Sequence, residues 1–193
     1  FQRNGKEFRK KRAFFVKNAL TAGQNRRMVR KGRNGAAFQP APVPNIKRRR
    51  FFIMGCFYCD EHHEGRESLM FPVGEMTGGV LYLFKDQTHK GRCVLALKNH
   101  RKEIFECDPQ ELANFTTDLA RATQAVKDLW GCDKINIGSY GDTNPHLHFH
   151  IVPKYEGGAE FGGSFQISYP EPTFLSDGEY QEMITALKDK LGI

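Results

Sequence analysis

The sequence predicts an α+β fold with a mainly antiparallel sheet, one long helix and a C-terminal helix. Two observations support this prediction. Strand-length apolar runs and capped helical stretches are mixed along residues 54–193. They do not follow the regular strand–helix–strand alternation that a parallel sheet requires. At 193 residues and 39% hydrophobic content, the chain is long enough for one domain with an ordinary core.

Residues 1–53 differ in composition from the rest of the chain. They are strongly basic and include three closely spaced prolines, whereas residues 54–193 carry a net negative charge. Such a segment is typical of a disordered tail, which could bind nucleic acid. Alternatively, the segment is an untranslated leader, because Arg49-Arg50 can be encoded as AGG-AGG, a ribosome-binding sequence, shortly before Met54. In both cases we expect the domain to span residues 54–193.

Four strands are predicted in the domain. GGVLYLF (78–84) and RCVLALK (92–98) are apolar runs of strand length separated by polar residues. KINIGSY (134–140) and HLHFHIVPKY (146–155) are joined by the tight loop GDTNP. No stretch approaches the ~18 consecutive apolar residues that a membrane-spanning helix needs.

Capping residues mark the two predicted helices. Asp108 is suited to be an N-cap, with a proline after it and Glu111 at the third helical position. Apolar residues then recur at helical spacing until Gly131, which is a typical helix end. Ser176 caps a last helix that we expect to end near Leu191.

Three histidines, His146, His148 and His150, alternate with apolar residues in one predicted strand. Side chains alternate between the faces of a strand, so the three imidazoles are expected on one face. The intervening side chains, Leu147, Phe149 and Ile151, are then expected in the core. The histidines alone leave three interpretations open: a surface patch, a metal site, or a nucleophile with supporting groups.

Together the motifs resemble those of a known family. HLHFHIV (146–152) is similar to the histidine-triad signature, His-φ-His-φ-His-φ-φ, of the HIT nucleotide hydrolases and transferases. CFYC (56–59), KGRCVLALKNH (90–100) and NIGSYGDTNPH (136–146) resemble further motifs of that family in the same order. The resemblance covers about residues 54–160. It implies an enzyme that acts at the α-phosphate of a nucleotide.

The resemblance also implies roles for single residues. His148 would attack the α-phosphorus and form a covalent nucleotidyl-histidine, because a neutral imidazole is a nucleophile at neutral pH. His150 would form a hydrogen bond next to the nucleophile or to the phosphate. Gly141 and Thr143 would bind phosphate oxygens. Asn136 matches a family asparagine near the scissile phosphate, with a hydrogen bond at the strand end as the alternative.

Two positions depart from the family pattern. Arg92 stands where relatives often have a histidine that supports the triad, so it either contacts phosphate or leaves that support absent. Asp142 stands where relatives have a glutamine in the phosphate loop, and a carboxylate there repels polyphosphate unless it is paired or turned away. An ion pair between the two residues is one possibility. Asp86 is the nearest candidate for the ribose-binding acid of relatives.

A structural zinc site is the predicted cofactor site. Some relatives bind zinc through the residues that correspond to Cys56, Cys59, His100 and His146. Two cysteines and two histidines supply the four ligands that structural zinc prefers. A redox-active CxxC is the alternative, but no thioredoxin-like context follows it. The other histidines, His62, His63 and His89, are expected to be solvated surface residues.

The resulting hypothesis is a cytoplasmic, homodimeric hydrolase of dinucleoside polyphosphates or nucleoside phosphoramidates. The odd number of five cysteines fits a reducing compartment better than a disulfide framework. Nucleotidylyl transfer to another acceptor is the alternative enzyme reaction, and a nucleotide-binding regulatory protein with weak turnover is the non-enzyme alternative. A nucleic acid partner depends wholly on residues 1–53. The aromatic segment 161–180 is expected to shape substrate choice.

Overall fold

The computed structural model describes residues 55–193. The basic segment and the expected start at Met54 lie outside the described residues, so both remain predictions. The described chain has the predicted α+β fold, with five strands in one sheet. The strands are β1 (Met70–Glu75), β2 (Gly79–Phe84), β3 (Cys93–Leu97), β4 (Lys134–Gly138) and β5 (His148–Lys154). The helices are α1 (Glu64–Leu69), α2 (Pro109–Trp130) and α3 (Asp177–Leu191), and a 3-10 helix spans Ile104–Glu106.

The sheet is antiparallel throughout, in the order β1-β2-β3-β5-β4. The four predicted strands are confirmed as β2 to β5. However, β5 begins at His148, so the prediction that His146 is a strand residue is wrong. His146 lies just before the strand, and its Nε2 atom is fixed by a hydrogen bond of 2.8 Å to the carbonyl of Leu97. Its side chain is therefore positioned by a tertiary contact and not by the strand alternation.

Sequence analysis missed α1 and β1. The β1 sequence contains Pro72 and Gly74, which are depleted in strands, and its pairing with β2 shifts register between these two residues. Proline is tolerated here because β1 is an edge strand. The six-residue helix α1 is too short to show a helical repeat of apolar residues.

The predicted helix caps are confirmed. The side chain of Asp108 accepts hydrogen bonds from the backbone N–H groups of Gln110 and Glu111, and Glu111 accepts one from the backbone of Asp108. Gly131 ends α2 in the left-handed conformation with φ 64°. Ser176 caps α3 in the same reciprocal way as Asp108. None of the described helices combines the length and the apolar character needed to cross a membrane.

The two faces of the sheet differ. On the first, the helix-covered face, α2 and α3 pack on side chains such as Leu95, Ile151 and Phe149. The ring of Phe149 stacks on Phe115 of α2 with 5.6 Å between centroids. Leu147 also lies in this core, so the predicted core positions between the histidines are confirmed.

The second face, the histidine face, carries a smaller apolar cluster of Met70, Tyr82, Phe84, Val94 and Ala96. His148 pairs with Ala96 and His150 pairs with Val94, so both histidines point to this face. Phe57 and Tyr58 of the CFYC loop pack against the cluster from above. The sheet thus separates a core built by helices from a site built by loops.

Candidate active site and metal site

Four metal-ligating side chains meet at one end of the histidine face. The ligand atoms of Cys56, Cys59, His100 and His146 all lie within 4.8 Å of one another. His146 Nδ1 is 3.4 Å from the Sγ atoms of both cysteines, and His100 Nδ1 is 3.4 Å from Cys59 Sγ. The structure therefore brings together all four residues of the predicted zinc site.

The cluster fits a tetrahedral zinc ion. Ordinary Zn–S and Zn–N bond lengths at tetrahedral angles place sulfur and nitrogen about 3.5 Å apart, close to the 3.4 Å observed. Nε2 of His146 donates to the Leu97 carbonyl, which leaves the lone pair of Nδ1 directed at the cysteines. Burial lowers the pKa of His146 to about 4, so its ring is neutral, as a metal ligand must be. These residues could hold zinc.

The buried side chain of Arg66 in α1 binds backbone carbonyls of the loop 56–61, which contains both cysteines of the cluster. Its guanidinium donates to the carbonyls of Phe57 at 3.1 Å and Glu61 at 2.6 Å, and also to that of Asp60. A buried guanidinium is stable only when several acceptors surround it, so these bonds fix the shape of the loop. Sequence analysis missed this role, because nothing in the sequence distinguishes Arg66 from a solvated arginine.

His148 has a defined tautomer. Its Nδ1 atom is 2.7 Å from the carbonyl oxygen of His146, which can only accept a hydrogen bond. Nδ1 therefore carries the proton, and Nε2 retains the lone pair that a nucleophile needs. Burial lowers the pKa of His148, which also favours the neutral ring.

Tyr58 joins the metal cluster to His148. Its ring centroid is 4.9 Å from that of His148 and 5.3 Å from that of His146. Tyr58 lies between the two cysteines in the sequence, so the predicted metal loop also covers the predicted nucleophile. Sequence analysis assigned no role to this tyrosine, although an aromatic residue inside a CxxC motif is a visible signal.

His150 is the second buried histidine of β5 and lies beside His148. The two ring centroids are 5.4 Å apart. Burial, reinforced by the positive charge of Arg92 and by His148, lowers the pKa of His150 to about 3, so the ring is neutral. Its Nδ1 atom is buried and has no hydrogen-bond partner within the described part of the chain. The structure thus brings His148 and His150 together, as predicted.

The two departures from the family pattern lie in different environments. Arg92 is completely buried, and its ion-pair partner is Asp86, with 3.7 Å between Arg92 Nη1 and Asp86 Oδ2. Asp142 is exposed, so the possible pair between Arg92 and Asp142 does not form. Asp86 is itself buried and accepts hydrogen bonds from Thr88 and from the backbone of Thr173. Its carboxylate is thus engaged by groups of the chain itself, and its role as a ribose-binding acid stays a prediction.

The predicted phosphate loop lies next to the metal cluster. Gly141 follows β4, and a Cβ atom there would lie 4.0 Å from the carbonyl oxygen of Lys102. Thr143 lines a cavity of about 340 Å³ together with Lys102 and the metal-site residues His100 and His146. The residues that line this cavity do not include His148 or His150. The predicted phosphate-binding residues are therefore near the triad, but the cavity itself opens beside the metal site.

Residues 160–173, here named the capping segment, lie over the histidine face. Phe165 is buried, and its ring centroid is 6.2 Å from that of His150. Asn136 on β4 donates from Nδ2 to the carbonyl of Gly163 at 3.4 Å. This contact joins β4 to the capping segment and is not the strand-end bond given above as the alternative, and the role of Asn136 near a phosphate stays a prediction.

The remaining histidines are not all surface residues. His62 is exposed, as predicted. His63 is half-buried and accepts a hydrogen bond from the backbone of Arg66 at the start of α1. The prediction for His89 is wrong: the residue is 2% exposed, and its Nε2 atom is 2.7 Å from the hydroxyl of Tyr169 in the capping segment. The sequence around His89 is polar, and only the capping segment, distant in sequence, buries it.

Comparisons with known proteins agree with this geometry. Residues 75–157 match the family model of the HIT domain. An uncharacterized HIT-like protein from Methanocaldococcus jannaschii is 34% identical over 86 residues, which are 42% of this chain and 66% of that protein. The match thus spans just under two thirds of this relative.

Solved structures show the same fold. A histidine triad protein from Bradyrhizobium japonicum is 25% identical, with a TM-score of 0.62 over 67% of this chain and 96% of that chain. A histidine triad protein from Sinorhizobium meliloti is 23% identical, with a TM-score of 0.62 over the same shares of the two chains. Residues 75–157 thus match the HIT domain, and the resemblance to the histidine-triad family is confirmed.

Proposed function

We propose that this HIT domain is a hydrolase that cleaves a nucleotide at its α-phosphate through a covalent nucleotidyl-His148. The observation that supports this proposal is the hydrogen bond from His148 Nδ1 to the carbonyl of His146, at 2.7 Å. This bond orients a neutral imidazole that has a free lone pair on Nε2. His148 therefore need not lose a proton before it attacks phosphorus.

The reaction would proceed in two displacements. Nε2 of His148 attacks the α-phosphorus and forms an N–P bond, while the bond from phosphorus to the leaving group breaks. The leaving group departs with the bonding electrons and takes up a proton. Water then attacks the same phosphorus, the N–P bond breaks with its electrons returning to His148, and the nucleoside monophosphate is released.

Other residues of the site would assist both steps. The ring centroids of His150 and His148 are 5.4 Å apart. His150 would form a hydrogen bond through Nε2 to the phosphate or to the bridging atom. Thr143 and the backbone at Gly141 would donate hydrogen bonds to phosphate oxygens. Asn136 donates one hydrogen bond to the capping segment and keeps a second N–H and its oxygen, which would be available to the substrate.

Zinc would be a structural cofactor held by Cys56, Cys59, His100 and His146. When bound, it supplies a cross-link between three parts of the chain that are distant in sequence. The four ligands would keep the ring of Tyr58 packed against the ring of His148. They would also hold the carbonyl of His146 where it accepts the hydrogen bond from His148. The metal thus stabilises the nucleophile's surroundings, and the chain's own imidazole performs the chemistry.

The substrate class and the assembly follow from the same proposal. We propose dinucleoside polyphosphates or nucleoside phosphoramidates as substrates, and a homodimer in which the two sheets pair edge to edge. The edge strand β4, with Ile137 47% exposed, supports such pairing. We also propose a cytoplasmic location, because an odd number of cysteines fits a reducing compartment better than a disulfide framework.

A nucleotide-binding protein with weak turnover is the second candidate. The observation that favours it is the cover over the nucleophile: His148 is 3% exposed and lies under Tyr58. Transfer of the nucleotidyl group to an acceptor other than water is the third candidate, since the same covalent intermediate serves both reactions. Product analysis separates these reactions, because only hydrolysis yields the free monophosphate.

The test is intact-mass analysis after a brief, quenched exposure to a diadenosine polyphosphate or an adenosine phosphoramidate, with substrate consumption measured in parallel. We expect a nucleotidyl adduct in the wild type and none in His148→Ala. His62→Ala is the matched control, because His62 is exposed and is not one of the four side chains of the metal cluster. Substrate consumption that persists unchanged in His148→Ala would rule out the proposed nucleophile. No consumption by the wild type would favour the binding protein.

A further inference from the structure

The histidine face contains a buried cation that the proposed reaction does not use. Arg92 directly precedes β3 and is completely buried. Its guanidinium carbon is 4.1 Å from the centroid of the Phe84 ring, and its nearest acid, Asp86, is 3.7 Å away. A buried arginine costs folding free energy unless its donors are satisfied, so its hydrogen bonds show what it serves.

Only part of the guanidinium is satisfied. Nη2 donates to the carbonyl of Ile167 in the capping segment at 2.9 Å. Nε and Nη1 are buried and have no hydrogen-bond partner among residues 55–193, since 3.7 Å to Asp86 is too long for one. A buried donor without a partner costs folding free energy. Two donors therefore remain for a neighbouring acceptor.

The nearby group that lacks a partner is His150. Its Nδ1 atom is buried without a hydrogen bond within the described chain. His150 pairs with Val94 across β3 and β5, and Arg92 lies two residues before Val94, so the two side chains are diagonal neighbours on one face. Both also contact Phe84, with 6.1 Å between the ring centroids of His150 and Phe84. Unsatisfied donors and an unsatisfied ring nitrogen thus lie around the same aromatic side chain.

We infer that Arg92 is a positioning residue that fixes the tautomer of His150 through a bridging water and at the same time anchors the capping segment at Ile167. The guanidinium donates to the water, and the water donates to Nδ1 of His150, which satisfies buried groups on both side chains. Nδ1 is then the acceptor, so Nε2 carries the proton. His150 would present an N–H donor at Nε2 while His148 presents a lone pair.

Arginine suits this role better than histidine would. Its guanidinium cannot lose a proton in a protein and cannot accept a hydrogen bond, so it imposes the same tautomer at every working pH. The planar guanidinium can also donate hydrogen bonds to two acceptors at once, whereas the ammonium group of a lysine is a point charge. The residue that departs from the family pattern would thus support the triad and tie the capping segment to it.

The capping segment has further anchors that do not involve Arg92. Its Thr173 carbonyl accepts from the backbone of Gln87 at 2.8 Å. The Tyr169 hydroxyl is 2.7 Å from His89 and donates to Glu160 at 2.6 Å. Tyr169→Phe removes only the hydroxyl, whose hydrogen bonds go to His89, Glu160 and the backbone of Gln166 and not to Arg92 or His150. It should therefore loosen the segment with both of those side chains in place, which makes it the matched control.

The test is nitrogen-15 NMR of the imidazoles in the full chain at neutral pH without nucleotide, with hydrogen exchange of the capping-segment amides. In the wild type we expect His150 protonated on Nε2 and unprotonated on Nδ1. In Arg92→Lys we expect a mixture of His150 tautomers and exchange around Ile167 faster by roughly tenfold or more. In Tyr169→Phe we expect faster exchange but an unchanged His150 tautomer.

Two results would overturn the inference. The first is a wild-type His150 that carries its proton on Nδ1, a result that requires no variant to fold. The second is an unchanged tautomer in Arg92→Lys and in Arg92→Met. The inference deepens the proposed function and rests on it for its catalytic meaning, but the spectra are recorded without substrate. A failed search for the nucleotidyl adduct would remove the proposed function and leave this result intact.

Discussion

The two faces of the sheet are built by different rules. The helix-covered face is an apolar core of side chains from α2, α3 and the strands. The histidine face holds buried charged and titratable groups, such as Arg92, His148 and His150, under loops. Apolar burial stabilises the first face, whereas the second spends stability on polar groups whose positions matter for chemistry. The same sheet thus carries an apolar core on one side and the proposed active site on the other.

Neighbouring residues of β5 give the sharpest test of this division. His148→Ala removes the proposed nucleophile, and we expect turnover to fall by at least about 10⁴-fold with little change in stability. Phe149→Leu, one residue along on the helix-covered face, should lower the thermal midpoint and leave turnover per folded molecule nearly unchanged. Steady-state kinetics and thermal unfolding of both variants check the pair. Equal effects on turnover would mean that the faces do not divide the two tasks.

Phe115→Ala tests the helix-covered face more severely. Phe115 is completely buried in α2 against Phe149, so the truncation should cost about 3–5 kcal/mol of unfolding free energy. Urea unfolding measures this loss. The tautomer of His148 should stay the same in the folded variant, because its hydrogen bond is to the carbonyl of His146. A changed tautomer would show that core packing positions the nucleophile directly.

Loss of the metal site should affect both stability and turnover. Cys59→Ala removes one of four ligands, and we expect loss of bound zinc and about 2–3 kcal/mol of stability. Zinc content by mass spectrometry and the thermal midpoint check this prediction. Cys107→Ala is the control, since Cys107 is a half-buried free cysteine outside the cluster. Full zinc content in Cys59→Ala would contradict the four-ligand site.

Acid should destabilise the histidine face selectively. Burial, with Arg92 and His148, lowers the pKa of His150 from 6.5 to about 3. The unfolded chain therefore binds a proton that the folded chain rejects, and stability falls as pH drops from about 6.5 towards 3. We expect at most about 2 kcal/mol of loss from this group between pH 7.5 and 5. His150→Gln should reduce the pH slope of the urea midpoint, and His62→Ala should not.

Local patterns made much of the fold predictable from the sequence. The caps at Asp108 and Ser176 marked the helix starts, and both act as predicted. The apolar runs marked β2 to β5, because each has the length and composition of a buried strand. By contrast, β1 and α1 were missed, since a bulged edge strand with Pro72 and a six-residue helix leave no periodic signal.

For the site, the sequence alone determined which residue types exist and in what order: the alternating histidines, the CxxC loop and His100. The ordered motifs, and the family that they resemble, were enough to predict which four side chains meet at the proposed zinc site and that His148 and His150 lie together. Only the tertiary structure decided how these groups are oriented. Contacts between distant segments bury His89 and Arg92 and place residues 160–173 over the histidine face. A similar contact lets the Arg66 side chain bind the carbonyls of the loop 56–61. Local sequence patterns report the chain's own periodicity and carry no direct signal for a hydrogen bond that joins distant residues.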